Sequence, residues 1–224
     1  MSDKDRKQKE QEILEMLQNE VKTSEDTAKL QQATVGQNDR KDDAWCMARR
    51  YRLTASKFEV VCKRAESTLC DKLVKQSIVP PILRTNAVMY GQHHEESAKN
   101  LYGARYKVKV ESFGIFVPHW LPWIRASPDG LVLEVGLVEV KCIPSLGNDS
   151  LESALINSVL RKNLPVQYVT SKETKSQLEM KKSHNYYNQI QFQLAITASQ
   201  WCDLFLYWPG GFECFRIQAD RSSR

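Results

Sequence analysis

The amino-acid sequence predicts a mixed α/β fold with a central sheet flanked by helices. Three observations carry this. Helical patterning dominates up to residue 102. Short apolar alternations bounded by turn residues fill 106–141. One helical segment over 184–199 then precedes two further extended runs. A chain of 224 residues is long enough to bury a core without disulfides or a structural metal.

Residues 1–43 hold 8 basic and 11 acidic side chains, whereas 44–224 hold 24 and 16. The first stretch reads as a flexible acidic arm with one short helix near 6–21, marked by Ile13, Leu14, Leu17 and Val21. Such a helix is either a solubilising tail or a dock for a partner chain. The folded domain is expected over 44–224. Residues 44–50 look helical, and Thr54 is placed to cap a helix over 55–64. Pro80-Pro81 blocks helix continuation, and a helix over 85–102 is expected to end at Gly103. Extended runs follow at 106–110, 114–117, 124–127 and 131–134, the last two flanking a Ser-Pro-Asp-Gly turn, and then at 137–141. These read as an antiparallel meander that Pro144 stops. Residues 151–162 read as helix, and 202–208 and 212–217 as a hairpin about Pro209-Gly210-Gly211.

The composition is 42% hydrophobic and 26% charged, and no apolar run is long enough to span a bilayer. The first ten residues are too polar for a signal peptide, so a cytosolic or nuclear setting is expected. The six cysteines form no close pair, which favours reduced thiols over a zinc site or a disulfide framework. The surplus of +8 on 44–224 suits a polyanionic partner.

One acidic cluster stands out. Asp129 lies in the turn, and Glu139 comes ten residues later. An antiparallel return would bring the two together. Glu139 and Lys141 are two apart and share a strand face, while Val138 and Val140 point the other way. Two carboxylates and an ammonium group suit phosphodiester hydrolysis. The acids hold a divalent cation that reverses the local sign, and the amine stabilises developing charge. Oxygen ligands favour Mg2+, with Mn2+ as the substitute, and the Val140 carbonyl would complete the ligand set. The local pattern by itself favours a solvated hairpin with a Glu–Lys pair on its wet face, against which stand the rigid Pro128 before Asp129 and the apolar, strand-rich surroundings of both acids.

Arg-Ala-Ser-Pro-Asp-Gly-Leu-Val followed by Gly-Leu-Val-Glu-Val-Lys-Cys resembles the core of the YqaJ-type viral recombinase family. That is the lambda-exonuclease family within the PD-(D/E)xK nuclease superfamily. Three ordered segments agree: Trp45-x-x-x-Arg49 with Thr54-Ala55-Ser56, Tyr90-Gly91-x-x-x-Glu95, and Tyr186-x-x-Gln189-x-Gln191. The match spans about 44–217, and its later segments look most like eukaryotic or eukaryotic-virus members.

The resemblance implies a restriction-endonuclease-like core. It implies that Asp129 and Glu139 are metal ligands, Lys141 the catalytic lysine, Glu95 a support for the metal site, and Gln189 a group that positions water. It further implies that Arg49 and Ser56 grip a DNA phosphate, with Ser127, Tyr186 and Gln191 near the substrate. The expected activity is exonucleolytic, 5′ to 3′ on linear duplex DNA with a 5′ phosphate, in support of recombination. A single-strand annealing protein is the expected partner, and a trimer the assembly implied. An endonuclease with the same chemistry and a catalytically silent DNA-binding module stay open.

Overall fold

A computed structural model of the chain describes residues 2–36, 44–65, 67–78, 85–169 and 177–220. The last part of the expected arm, 37–43, and the Pro80-Pro81 break lie outside these residues.

The fold is mixed α/β. A five-stranded sheet runs in the order β2-β4-β5-β8-β9, formed by Val110–Glu111, Gly130–Val132, Gly136–Cys142, Trp201–Trp208 and Gly211–Gln218. β5 is the hinge of its topology. It pairs antiparallel with β4, placing Gly130 opposite Val138, and parallel with β8, placing Glu139 beside Leu204. A meander alone would have made every pairing antiparallel. The parallel pair instead requires a long crossover, which contains α7 (Leu151–Ile156), α8 (Ser158–Asn163), a hairpin of β6 (Val166–Val169) with β7 (Gln177–Met180), and α9 (Asn185–Thr197). The run expected as one helix over 151–162 breaks at Asn157, whose side chain caps α8.

The Ser-Pro-Asp-Gly segment is not a hairpin turn. β3 (Ile124–Arg125) pairs in parallel with β1 (Leu53–Thr54) in a separate two-stranded sheet, so residues 126–129 cross from that ribbon into the main sheet. The tight turn comes at Leu133 and Glu134, both with positive φ.

Two cores sandwich the main sheet. On one face Leu137, Leu204 and Leu206 pack with Ile190 and Leu194 of α9. On the other, Val138, Val140 and Phe205 pack with Ala98 and Tyr102 of α6 (Asn86–Tyr106). Helix α6 runs past Gly103 and ends on Lys107 in the left-handed region. Gly103 serves contact rather than termination, because a Cβ there would sit 3.0 Å from the Val108 carbonyl oxygen. Of residues 106–110 only Val110 therefore lies in a strand, β2.

The first 36 residues contain two helices where the sequence suggested one. α1 (Asp3–Glu20) and α2 (Ser24–Thr34) both begin with a capping box, Ser2 with Asp5 and Thr23 with Asp26. They lie against the domain. Leu17 and Val21 are buried, and Val21 packs with Ala48, Ile115 and Val117. The Thr27 hydroxyl donates to the Val117 carbonyl at 2.8 Å, and Thr34 Oγ1 accepts from the Ile115 N–H at 2.7 Å. Those two threonines are polar in the sequence yet serve as anchors, which is why composition alone suggested an arm. α3 (Ala44–Arg49) follows, and Arg52 Nη2 meets Glu20 at 2.8 Å. The helix expected over 55–64 is a 3-10 turn, Ala55–Lys57, leading into α4 (Phe58–Cys62). Thr54 does not cap it with its side chain. Its hydroxyl lies 3.0 Å from that of Ser56. Helix α5 (Asp71–Ile78) completes the set.

Candidate active site

β5 carries the central groups of the site. Its strand alternation sends Val138 and Val140 into the α6 core and Glu139 toward α9, where the side chain is only 3% exposed. Lys141 lies on the same face, and its Nζ donates to Glu139 Oε1 at 2.6 Å. α9 supplies two amides. Gln189 Nε2 donates to the same Glu139 oxygen, and Gln193 Nε2 donates to Oε2 at 2.9 Å. A four-residue step on a helix puts these two glutamines on one face. The Tyr186 ring, one turn earlier, lies 5.1 Å from Lys141 Nζ.

Asp129 enters from the crossover. The β4–β5 pairing brings it back to β5, where its Oδ2 accepts the Val140 N–H at 2.7 Å. Its carboxyl group is pushed well above the ordinary range, by burial first, then by Glu139, with Glu95 adding. Lys141 and the Val140 N–H act in the opposite direction without cancelling this. Burial pulls the Lys141 amine down, but Glu139 and Asp129 outweigh it and hold the amine above its usual range. Lys141 is therefore an ammonium group that donates hydrogen bonds.

The sequence placed Asp129, Glu139, Lys141, Gln189 and Tyr186 in one site, and they meet. Glu95 stands nearby on α6, where it pairs with Lys99 at 3.5 Å rather than with Lys141. Lys99 also holds Glu96 at 2.9 Å, and these side chains border a small cleft that includes Asp129 and Ser112. Gln191 does not join the site. Its amide donates to the Gln218 carbonyl, and its Oε1 accepts the Asp220 N–H at 2.8 Å. Two residues from Gln189 is about 200° around a helix, so Gln191 faces the end of β9. Gln193, which the sequence analysis did not single out, contacts Glu139 directly. A buried glutamine at i+4 from a predicted site residue is the signal that would have found it.

Asp129, Glu139 and the Val140 carbonyl are oxygen donors that could hold a divalent cation. No group of three His, Cys, Asp or Glu side chains suited to a metal occurs among the described residues. The electrostatics nevertheless fit a cation. Burial first, and then the charge of Glu139, drive Asp129 toward its neutral form, and a cation would reverse that.

Arg49 ends α3, and Ser56 lies in the 3-10 turn that follows β1 of the neighbouring ribbon. The Arg49 guanidinium stacks 3.9 Å from the centre of the Trp45 ring, and Ser56 is exposed beside Thr54. Ser127 is half-buried in the crossover between Arg125 and Asp129. No described helix is long and apolar enough to cross a membrane, and all six cysteines are free thiols.

Solved structures share this fold. An alkaline exonuclease from Laribacter hongkongensis is 24% identical with a TM-score of 0.55, over 80% of this chain and 83% of that one. KSHV SOX in an RNA complex is 12% identical with a TM-score of 0.59, over 89% of this chain and 70% of that one. A SOX–DNA complex gives 12% identity and a TM-score of 0.55, over 89% and 67%. No curated protein matches the sequence. The family model of the YqaJ-like viral recombinase domain matches residues 44–200. Its span takes in the ribbon, the crossover, β5 and α9, and the chain belongs to the YqaJ-like viral recombinase domain family.

Proposed function

We propose that the chain is a metal-dependent deoxyribonuclease that hydrolyses phosphodiester bonds. The observation that carries this is Asp129, held on β5 by the Val140 N–H at 2.7 Å, next in the strand to buried Glu139 and its ion pair with Lys141 at 2.6 Å. A solvated hairpin pair would leave both acids in water, where neither would perturb the other. Membership of a viral recombinase family and a fold shared with an exonuclease support the same reading.

Asp129, Glu139 and the Val140 carbonyl would hold Mg2+, with Mn2+ as the substitute. The ion would offset the repulsion between the acids and lower the pKa of a bound water. Gln189 and Gln193 fix both oxygens of Glu139, so its carboxylate cannot swing when substrate arrives. Lys141 donates to Glu139 and has further N–H groups for a phosphate oxygen or the attacking water. Arg49 and Ser56 bind backbone phosphate, and Ser127 and Tyr186 line the route from that contact to Lys141. Glu95 acts from its pair with Lys99, at the edge of the cleft. The partner is DNA, as in the SOX–DNA complex. Within this reading the enzyme is an exonuclease working 5′ to 3′ from duplex ends inside the cell. Its product strand would serve recombination through an annealing protein, and a trimer is the assembly to test.

The test uses end-labelled linear duplex and closed circular DNA, with Mg2+, with EDTA, and with Lys141→Ala. The expected result is metal-dependent shortening of linear DNA alone, lost in the variant. Cleavage of circles would make the enzyme an endonuclease. Undiminished turnover in EDTA or in the variant would refute the assigned chemistry.

A further inference from the structure

A second ammonium group stands on the α6 side of Asp129. Helix α6 carries Glu95 and Lys99 four residues apart on one face, while Ala98 and Tyr102 turn into the core. The Lys99 side chain is only 17% exposed, and its Nζ meets Glu96 at 2.9 Å and Glu95 at 3.5 Å. Lys99 and Asp129 line one small cleft with Glu96, Asn100, Val110 and Ser112. Burial lowers the Lys99 amine, but Glu96 and Glu95 outweigh it, and Asp129 adds a smaller contribution across the cleft. Glu95 in turn acts on Asp129 by its charge, so it stands within reach of the acid site.

The two lysines differ in how firmly they hold their partners. Lys141 donates at 2.6 Å to Glu139, which is 3% exposed and fixed by Gln189 and Gln193. The Lys99–Glu95 pair is 3.5 Å long, beyond the roughly 2.7–2.9 Å of a charge-assisted hydrogen bond, and Glu95 is 44% exposed. An exposed pair of that length is weak, so Glu95 can leave it at little cost. Glu96 remains as a partner for Lys99 when it does.

We infer that Lys99 is a positioning residue that competes with the divalent cation for Glu95 and repels that ion from Asp129, so that the acid site holds its cation loosely. A carboxylate shared with an ammonium group has less to offer a second cation, and like charges around one acid repel. Without Lys99 the same acids would bind the ion more tightly and release it more slowly. This inference rests on the reading of the chain as a metal-dependent enzyme.

The test is titration of the full chain with Mn2+ by isothermal titration calorimetry without DNA, so that no turnover is read. Asp129→Asn is the control that locates the ion, and it should remove the binding heat. Lys99→Met keeps the apolar stem and removes the charge. It is expected to tighten Mn2+ binding by about 5-fold or more, the scale of one like charge removed from the surroundings of a divalent ion. Lys99→Gln should do the same, and Lys99→Arg, which keeps the charge, should stay within about 2-fold of the wild type. At equal Mn2+ the Tm of Lys99→Met should rise more than that of the wild type. Adding Glu95→Gln to Lys99→Met should shrink the gain, because the released carboxylate is part of what the ion receives. Unchanged or weaker binding in both the Met and Gln variants, an equal gain in Lys99→Arg, or a gain that survives Glu95→Gln in full would each overturn the inference. A wild type that binds Mn2+ at Asp129 with an affinity these variants do not move sinks this inference alone. Absence of Mn2+ binding from the wild type and from every variant sinks the metal-dependent reading with it.

Discussion

The β5 acids and the β1–β3 ribbon are two regions of unbalanced buried charge with opposite sign. At the first, Asp129 and Glu139 repel each other and only Lys141 answers both. At the second, Arg125 is surrounded by Arg49, Arg52 and Lys57. Elsewhere the molecule settles its buried charges. Asp203 on β8 accepts from Tyr102 at 2.7 Å and from two nitrogens of Arg216, at 2.8 and 2.9 Å. A fold that matches Asp203 so fully could have matched Asp129 and Arg125. Instead Asp129 has the Val140 N–H and the charge of Lys141, and Arg125, four residues earlier, lies 5.9 Å from the centre of the Trp45 ring.

The comparison can be broken most severely at Asp129. Asp129→Asn should reduce metal-dependent cleavage to background in an end-label assay. It should also change stability. The folded pKa of Asp129 lies above its unfolded value, so the stability tied to its protonated form is complete below the unfolded pKa. That stability is lost as pH rises through the folded pKa. Metal-free wild type should therefore lose stability as pH rises above the ordinary carboxylate range. The Asn variant should lack that contribution, as read by Tm against pH. An identical pH dependence would mean that Asp129 is not strained by its neighbour.

Next in size, Lys141→Ala should slow cleavage by about 10²–10³-fold, the scale of one lost charge-stabilising donor. DNA binding in EDTA should change little. Gln193→Leu should weaken the apparent affinity for Mg2+ by roughly 10- to 100-fold, because Glu139 loses the amide that orients Oε2. A titration of rate against Mg2+ would show this, and an unmoved midpoint would make Gln193 a packing residue. Arg49→Ala should cost about 10-fold on phosphorylated ends, against little change on hydroxyl ends. Smallest of all, Glu20→Gln should lower stability by about 1–2 kcal/mol, since buried Arg52 loses its charged partner. Cleavage at low temperature should stay near the wild-type rate, because Arg52 keeps its two carbonyl contacts.

Much of the acid site was legible because strand periodicity is short and strict. Glu139 and Lys141 had to share a face, and an antiparallel return from Gly130 had to bring Asp129 close. Gln189 and Tyr186 came from the family resemblance, and their helical spacing agrees with it. Gln191 was misplaced because a motif written as a linear string hides the 200° turn between alternate helix positions. The run 124–127 read as extended, but its pairing in the ribbon escaped notice for a different reason. Ile124–Arg125 and Leu53–Thr54 are two residues each, and a parallel pair seventy residues apart leaves no local signature. Arg125 accordingly read as one more basic residue in a basic domain. The first helix was legible from Leu14, Leu17 and Val21, but α2 was obscured by its polarity, since what fastens it is a pair of threonine hydroxyls rather than an apolar stripe.

Gly114 determines how firmly those helices can hold. A Cβ on this residue would lie 2.0 Å from the Gln31 carbonyl oxygen and 2.7 Å from Thr34 Oγ1. Main chain meets main chain there with no room for a methyl group, and Ile115 next to it receives the threonine contact. Replacement of Gly114 by alanine would therefore act as a wedge, lifting α2 and wetting Ile115 and Val117 while every charged group of the enzyme stayed in place. Limited proteolysis of that variant should clip the first 36 residues ahead of the rest, revealing the amino-terminal helices as a detachable cover over an otherwise greasy flank.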